Sequence, residues 1–186
     1  MKVFALYLGL LLVGLGVACQ CPPYKPYKPV EVLYQASPLT MSNSFTAGIE
    51  GPACDRTGNI FAVNFGKQQT IGVTTPDGIS KVFVTLPNTS IGNGIRFDHK
   101  GLMYVADYTE HNVLRIDPTT KAIEIFAHEP KMNQPNDLAI GPNGVLYASD
   151  PNWIAKTGQL WRIDTDGTVT RLAENMGTTN GIEVSP

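Results

Sequence analysis

Four oxygen-bearing side chains recur along the chain at one interval. Glu50, Asn93 and Asn136 stand 43 residues apart, and Asn180 falls one residue out of that register. One carboxylate among neutral amides is a hard donor set. It suits a cation such as calcium, which takes six to eight oxygens at 2.3–2.6 Å. It suits zinc poorly, because the sequence has no His/Cys cluster at ligand spacing. Asn-Gly and Asn-Asp are also common turn pairs, which would account for Asn93, Asn136 and Asn180 without any ligand. Glu50, within Gly48-Ile49-Glu50-Gly51, is no usual turn former. A serine nucleophile has no support: G-x-S-x-G does not occur, and His99, His111 and His128 fall in loops or at strand ends, as surface histidines do.

The interval belongs to the whole body of the chain. Ile49–Phe65, Gly92–Tyr108 and Pro135–Pro151 share one pattern: a polar residue, a short strand, a turn, then a Gly opening a second apolar run that ends in Asn or Asp. Gly58, Gly101 and Gly144 mark the same point in each. A fixed period of about 40–50 residues marks propellers and solenoids. The second unit predicts strands at Gly94–Asp98, Leu102–Asp107, Val113–Asp117 and Ala122–Ala127. The third predicts Leu138–Ile140, Val145–Asp150, Gln159–Asp164 and Val169–Leu172. These runs are rich in Val, Ile, Leu, Tyr and Phe and bounded by turn pairs such as Asp117-Pro118 and Asp166-Gly167. Four antiparallel strands per repeat make one propeller blade.

The expected fold is therefore all-β, a β-propeller of about three and a fraction four-stranded blades, with an evenly spaced β-sandwich as the alternative. Blades are expected at 48–90, 91–133 and 134–177, with the start of a fourth at 178–186. A ring closes with four to eight blades, so the sequence reads as an N-terminal portion of a longer propeller. Assembly of partial rings is the other way to close it. Glu31–Ser37 could add an outer strand to the last blade. The first strand of each blade lines a propeller's channel, so Glu50, Asn93, Asn136 and Asn180 are expected to start those strands and converge on the axis.

A composition of 42% hydrophobic and 16% charged residues is that of a globular protein. A net charge of −2 leaves no basic surplus, which disfavours a nucleic-acid-binding face. Residues 1–18 read as a signal peptide: Lys2, an apolar run from Val3 to Val17, and small residues at Gly16 and Ala18. The run is shorter than the roughly 20 residues of a membrane-spanning helix, although an uncleaved anchor is the alternative. The chain is thus expected to be exported, either secreted or periplasmic, or anchored as a lipoprotein by lipid on Cys19. Residues 19–47 read as a proline-rich linker with an N-terminal strand, stiff and polyproline-like over 22–29. Export permits a Cys21–Cys54 disulfide; otherwise both are free thiols, with Cys54 buried as a small hydrophobe. Asn88-Thr89-Ser90 is a glycosylation sequon, relevant in a eukaryotic host.

From Gly48 to Pro186 the chain resembles the N-terminal half of the regucalcin/gluconolactonase family, which includes senescence-marker and luciferin-regenerating types. The resemblance lies in Gly48-Ile49-Glu50-Gly51-Pro52, Gln134-Pro135-Asn136-Asp137 and Thr179-Asn180-Gly181-Ile182 with Ser185-Pro186. It implies a six-bladed propeller and calcium-dependent hydrolysis of a small-molecule lactone or ester. It also implies that Glu50, Asn136 and Asn180 are metal ligands, with Asn93, Gln134 and Asp137 as pocket or substrate contacts. Two departures stand out. The family's fourth ligand, an Asp on a later blade, would lie beyond residue 186. Gln134 stands where some members carry an Arg that holds a sugar-like substrate. The implied mechanism has the cation polarise the lactone carbonyl while a carboxylate activates water, Asp137 being the candidate present. Two other readings are a non-catalytic binding propeller and a strictosidine-synthase-like propeller, whose ligand column usually lacks the Glu/Asn/Asn set.

Overall fold

The computed structural model describes residues 35–185. The signal-like segment 1–18, Cys19, Cys21, the proline-rich stretch 22–29 and most of the Glu31–Ser37 strand candidate lie outside them. All twelve secondary-structure elements among the described residues are strands, and all fall within the unit Ser37–Pro186. The first four are β1 (Ala53–Cys54), β2 (Ile60–Val63), β3 (Thr70–Thr74) and β4 (Ser80–Thr85). The second four are β5 (Gly92–Phe97), β6 (Met103–Asp107), β7 (Asn112–Ile116) and β8 (Ile123–His128). The third four are β9 (Leu138–Ile140), β10 (Leu146–Asp150), β11 (Gln159–Ile163) and β12 (Val169–Ala173). Each group forms one antiparallel meander in chain order, giving three four-stranded sheets. The observed strands of the second and third sheets lie within two residues of the expected bounds.

The sheets stack face to face because their middle strands are apolar on both sides. In β6, Met103 and Val105 pack into a cluster with Phe61, Val63, Ile71, Leu114 and Ile116. Their alternates Tyr104 and Ala106 pack the other way, with Leu138, Leu146, Trp161 and Ile163. This is the two-residue period of a strand read on two buried faces. All five residues of β6 are buried, whereas no residue of the outermost strand β12 is. The inner strands meet edge to edge: β5 touches β1 and β2 on one side and β9 on the other. Stacked meanders whose first strands converge are the blades of a β-propeller, here in part. Each third strand also meets its outer partner through a register shift, between Ile71 and Gly72, Val113 and Leu114, and Leu160 and Trp161. Such bulges add local twist to a sheet.

The inner strands sit so close that two positions admit only glycine. A Cβ on Gly51, whose φ is +55°, would lie 1.9 Å from the Asn93 carbonyl oxygen. A Cβ on Gly94 would lie 2.5 Å from the Asp137 carboxylate. These approaches carry the polar column from sheet to sheet.

Candidate functional site

The column does not uniformly begin the inner strands, as the sequence suggested. Asn93 is the second residue of β5, but Asn136 lies two residues before β9, and Glu50 three before the short β1. The reason is local. Gly51 takes a left-handed conformation and Pro52 has no N–H to donate, so the ladder cannot run back to Glu50. Backbone pairing still anchors these residues: Val63 N–H donates to the Glu50 carbonyl at 3.2 Å, and Asn136 N–H to the Ser149 carbonyl at 2.8 Å. Asn180 follows β12 in a segment outside any strand, where its carbonyl accepts from the Ser149 hydroxyl.

From these anchors Glu50, Asn93, Asn136 and Asn180 all line one open cavity of about 360 Å³, together with Asn64, Gln68, Tyr108, Gln134 and Trp153. A narrower recess of about 160 Å³ shares the same four residues and adds Gly94, Arg96 and Asp137. The structure thus brings together all six residues singled out in the sequence. Among the described residues, no side-chain oxygen or nitrogen of Glu50, Asn93, Gln134, Asn136 or Asn180 forms a hydrogen bond within the protein. Asp137 differs. One oxygen accepts from Arg96 Nη2 at 3.0 Å and from Ile182 N–H at 3.3 Å; the other accepts from Leu138 N–H at 2.8 Å. Asp137 therefore braces three segments beneath the cavity.

Five lining residues were not apparent from the sequence reading: Asn64, Gln68, Arg96, Tyr108 and Trp153. The 43-residue period could have revealed one of them. Asn64 is in register with Asp107 and Asp150, each buried at the end of the second strand of its sheet. Asp107 accepts from Ser90 Oγ at 2.6 Å and Asn112 Nδ2 at 3.1 Å. Asp150 accepts from Gln134 N–H at 2.6 Å, Asn133 N–H at 2.8 Å and Trp161 Nε1 at 2.8 Å. These carboxylates clamp the loops entering their sheets. At Asn64 the clamp is inverted: Nδ2 donates to the Gly48 carbonyl at 2.7 Å, and Oδ1 is buried without a partner among the described residues. The first loop is thus held by a donor, two residues before Glu50.

The three histidines are not alike. His99 is exposed, and His128, at the end of β8, bonds Asn112 Oδ1 through Nδ1 at 2.8 Å. His111 is half-buried in the β6–β7 loop at φ 58°, and its Nδ1 is buried without a partner among the described residues. It is not the simple surface histidine expected. Cys54 is exposed on β1, not buried as a small hydrophobe.

Glu50, Asn136 and Asn180 offer one carboxylate and two amide oxygens to a common space, a donor set that fits a hard cation of the calcium type. Among the described residues no three His, Cys, Asp or Glu side chains gather as a metal-binding group.

Residues 49–186 match the family model described as the SMP-30/gluconolactonase/LRE-like region, and the chain belongs to that family. A gluconolactonase from Zymomonas mobilis is 22% identical over 180 residues, covering 83% of this chain and 51% of that protein. Among solved structures, the gluconolactonase XC5397 of Xanthomonas campestris superposes with a TM-score of 0.60 at 17% identity, covering 70% of this chain and 49% of that one. The calcium-binding protein regucalcin of Agrobacterium tumefaciens gives 0.58 at 20% identity, covering 72% and 45%. The chain spans about half the length of these relatives. At such identities the structures establish the shared propeller fold, while chemistry rests on the site.

Proposed function

We propose that the protein containing these blades is a calcium-dependent lactone hydrolase. One observation carries the reading: four polar side chains uncommitted to the protein, one of them a carboxylate, line a single cavity where the inner strands converge. Family membership supports it, as does the likeness to a gluconolactonase and to a calcium-binding regucalcin. Glu50, Asn136 and Asn180 would hold the cation through oxygen. When bound, such an ion polarises the lactone carbonyl and stabilises the oxyanion that develops on it. Asn93 and Gln134 would orient the substrate, since each amide can both donate and accept. Asp137, with its oxygens engaged by Arg96, Leu138 and Ile182, positions the floor and is a poor general base.

The test is hydrolysis of simple lactones by the natively expressed protein, with calcium and after chelation. Activity should require the cation, and Glu50→Gln should lower kcat/KM about 100-fold or more, as expected when several kcal/mol of transition-state stabilisation are lost. A rate indifferent to chelator, or a Glu50→Gln enzyme within threefold of the parent, rejects the reading. We infer export from the leader pattern of residues 1–18. Mass analysis of the natively expressed protein should find that segment removed; a mature chain still starting at Met1 rejects cleavage.

A further inference from the structure

A second cleft opens beside the candidate site. It has a volume of about 370 Å³ and shares two walls, Gln134 and Trp153, with the main cavity. Its other side is His111 in the β6–β7 loop, and Met132, only 3% exposed, lines it as well. The loop between β10 and β11 supplies the rim. Asn152 shapes that loop: its Oδ1 accepts from Ala155 N–H at 2.9 Å, its carbonyl from Lys156 N–H at 2.8 Å, and its Nδ2 donates to Asn133 Oδ1 at 3.2 Å. The loop so held presents Trp153, 47% exposed, and Ile154, 97% exposed, in succession. A single exposed apolar residue is unremarkable, but adjacent large ones on the lip of a cavity mark a binding surface.

The main cavity is lined chiefly by amides and a carboxylate; the annex has amides too, from Asn133, Gln134 and Asn152, but adds the Met132 thioether and the Ile154 side chain to the Trp153 indole that both cavities share. We propose that the annex is a substrate subsite. It receives an apolar alkyl or aryl substituent of the lactone, while the ring sits over Glu50, Asn136 and Asn180. This rests on the hydrolase reading above and specifies its substrate class. The two cavities adjoin at Gln134 and Trp153, so an elongated molecule seated in the first would extend toward the second. A compact polyhydroxylated lactone would fill the polar cavity and leave the annex empty.

The experiment compares γ-butyrolactone, γ-octalactone, γ-dodecalactone and gluconolactone as substrates of the full-length protein with calcium, alongside calorimetric binding of the same compounds. The expected result is a rise in kcat/KM of about two- to fourfold per methylene over the first several, the scale of burying methylenes against protein. Trp153→Ala should flatten that rise. Ile154→Ser, altering a fully exposed position, should reduce it and guards against misfolding of the first variant. Chain-length-independent hydrolysis, or a tenfold preference for gluconolactone, overturns the subsite and leaves the hydrolase reading standing. Binding that tightens with chain length in the parent but not in Trp153→Ala, with no hydrolysis of any compound, supports the subsite and rejects the hydrolase. An unchanged slope in both variants overturns the subsite.

Discussion

Asn64 shows how one atom can set a site. Its counterparts Asp107 and Asp150 accept hydrogen bonds from the loops they clamp, while Asn64 donates to the Gly48 carbonyl. Asn64→Asp keeps a residue tolerant of the left-handed backbone at φ 64° but removes the donor and sets two acceptors against each other. We expect a loss of about 1–3 kcal/mol in unfolding free energy, measured by urea denaturation with chelator present so that metal binding does not intrude. A neutral variant would show that the Gly48 loop is held by other means. At this scale the sequence was only partly legible. Glu50, Asn93, Gln134, Asn136, Asp137 and Asn180 could be picked out because period and resemblance mark them, and they meet in space. Tyr108, Trp153 and Arg96 could not, since loop geometry brings the first two to the cavity and the Asp137 contact fixes the third.

The hairpins within each blade follow from turn chemistry that the sequence displays openly. Partial burial raises the Asp55 pKa, but hydrogen bonds from Asn59 and Thr57 outweigh that effect and hold the carboxyl below its ordinary value. Backbone N–H groups of Thr119 and Thr120 lower the Asp117 pKa, and that of Thr168 lowers the Asp166 pKa. A carboxylate whose pKa is depressed by folding stabilises the native state above its unfolded pKa, and that contribution fades as pH falls through the folded value. The melting temperature should therefore hold steady above about pH 4 and decline below it, as these turns protonate. A triple Asp→Asn variant at the three positions should show a shallower acid decline. An identical pH profile would mean that other carboxylates govern it. Strand existence and order were legible from the repeat because Gly58, Gly101 and Gly144 punctuate matching hairpins. The shortness of β1 was obscured, because only the left-handed Gly51 followed by Pro52 explains why pairing stops there.

Across the whole molecule, the proposed ligands bridge elements far apart in sequence. Glu50 precedes the first sheet, Asn136 enters the third, and Asn180 follows β12. A cation held by all three would add a cross-link to the packing of β1 against β5 and β5 against β9 and to the Asp137 bonds with Arg96 and Ile182. Binding to the native state alone stabilises it by RT ln(1 + [L]/Kd), about 2.7 kcal/mol at a hundredfold excess over Kd. For a chain of this size that corresponds to roughly 5 °C or more in Tm. Calcium should thus raise the melting temperature of the protein measured in chelator, and magnesium should do so less, since it sheds its water reluctantly and demands tighter octahedral geometry. Glu50→Gln should erase the calcium increment while leaving the melting temperature in chelator nearly unchanged, because the exposed Glu50 carboxylate makes no hydrogen bond within the described residues. If calcium leaves the melting temperature of the parent unmoved, the oxygen column is a lining of polar strand ends and not a metal site. If the increment survives Glu50→Gln, the cation binds elsewhere in the protein.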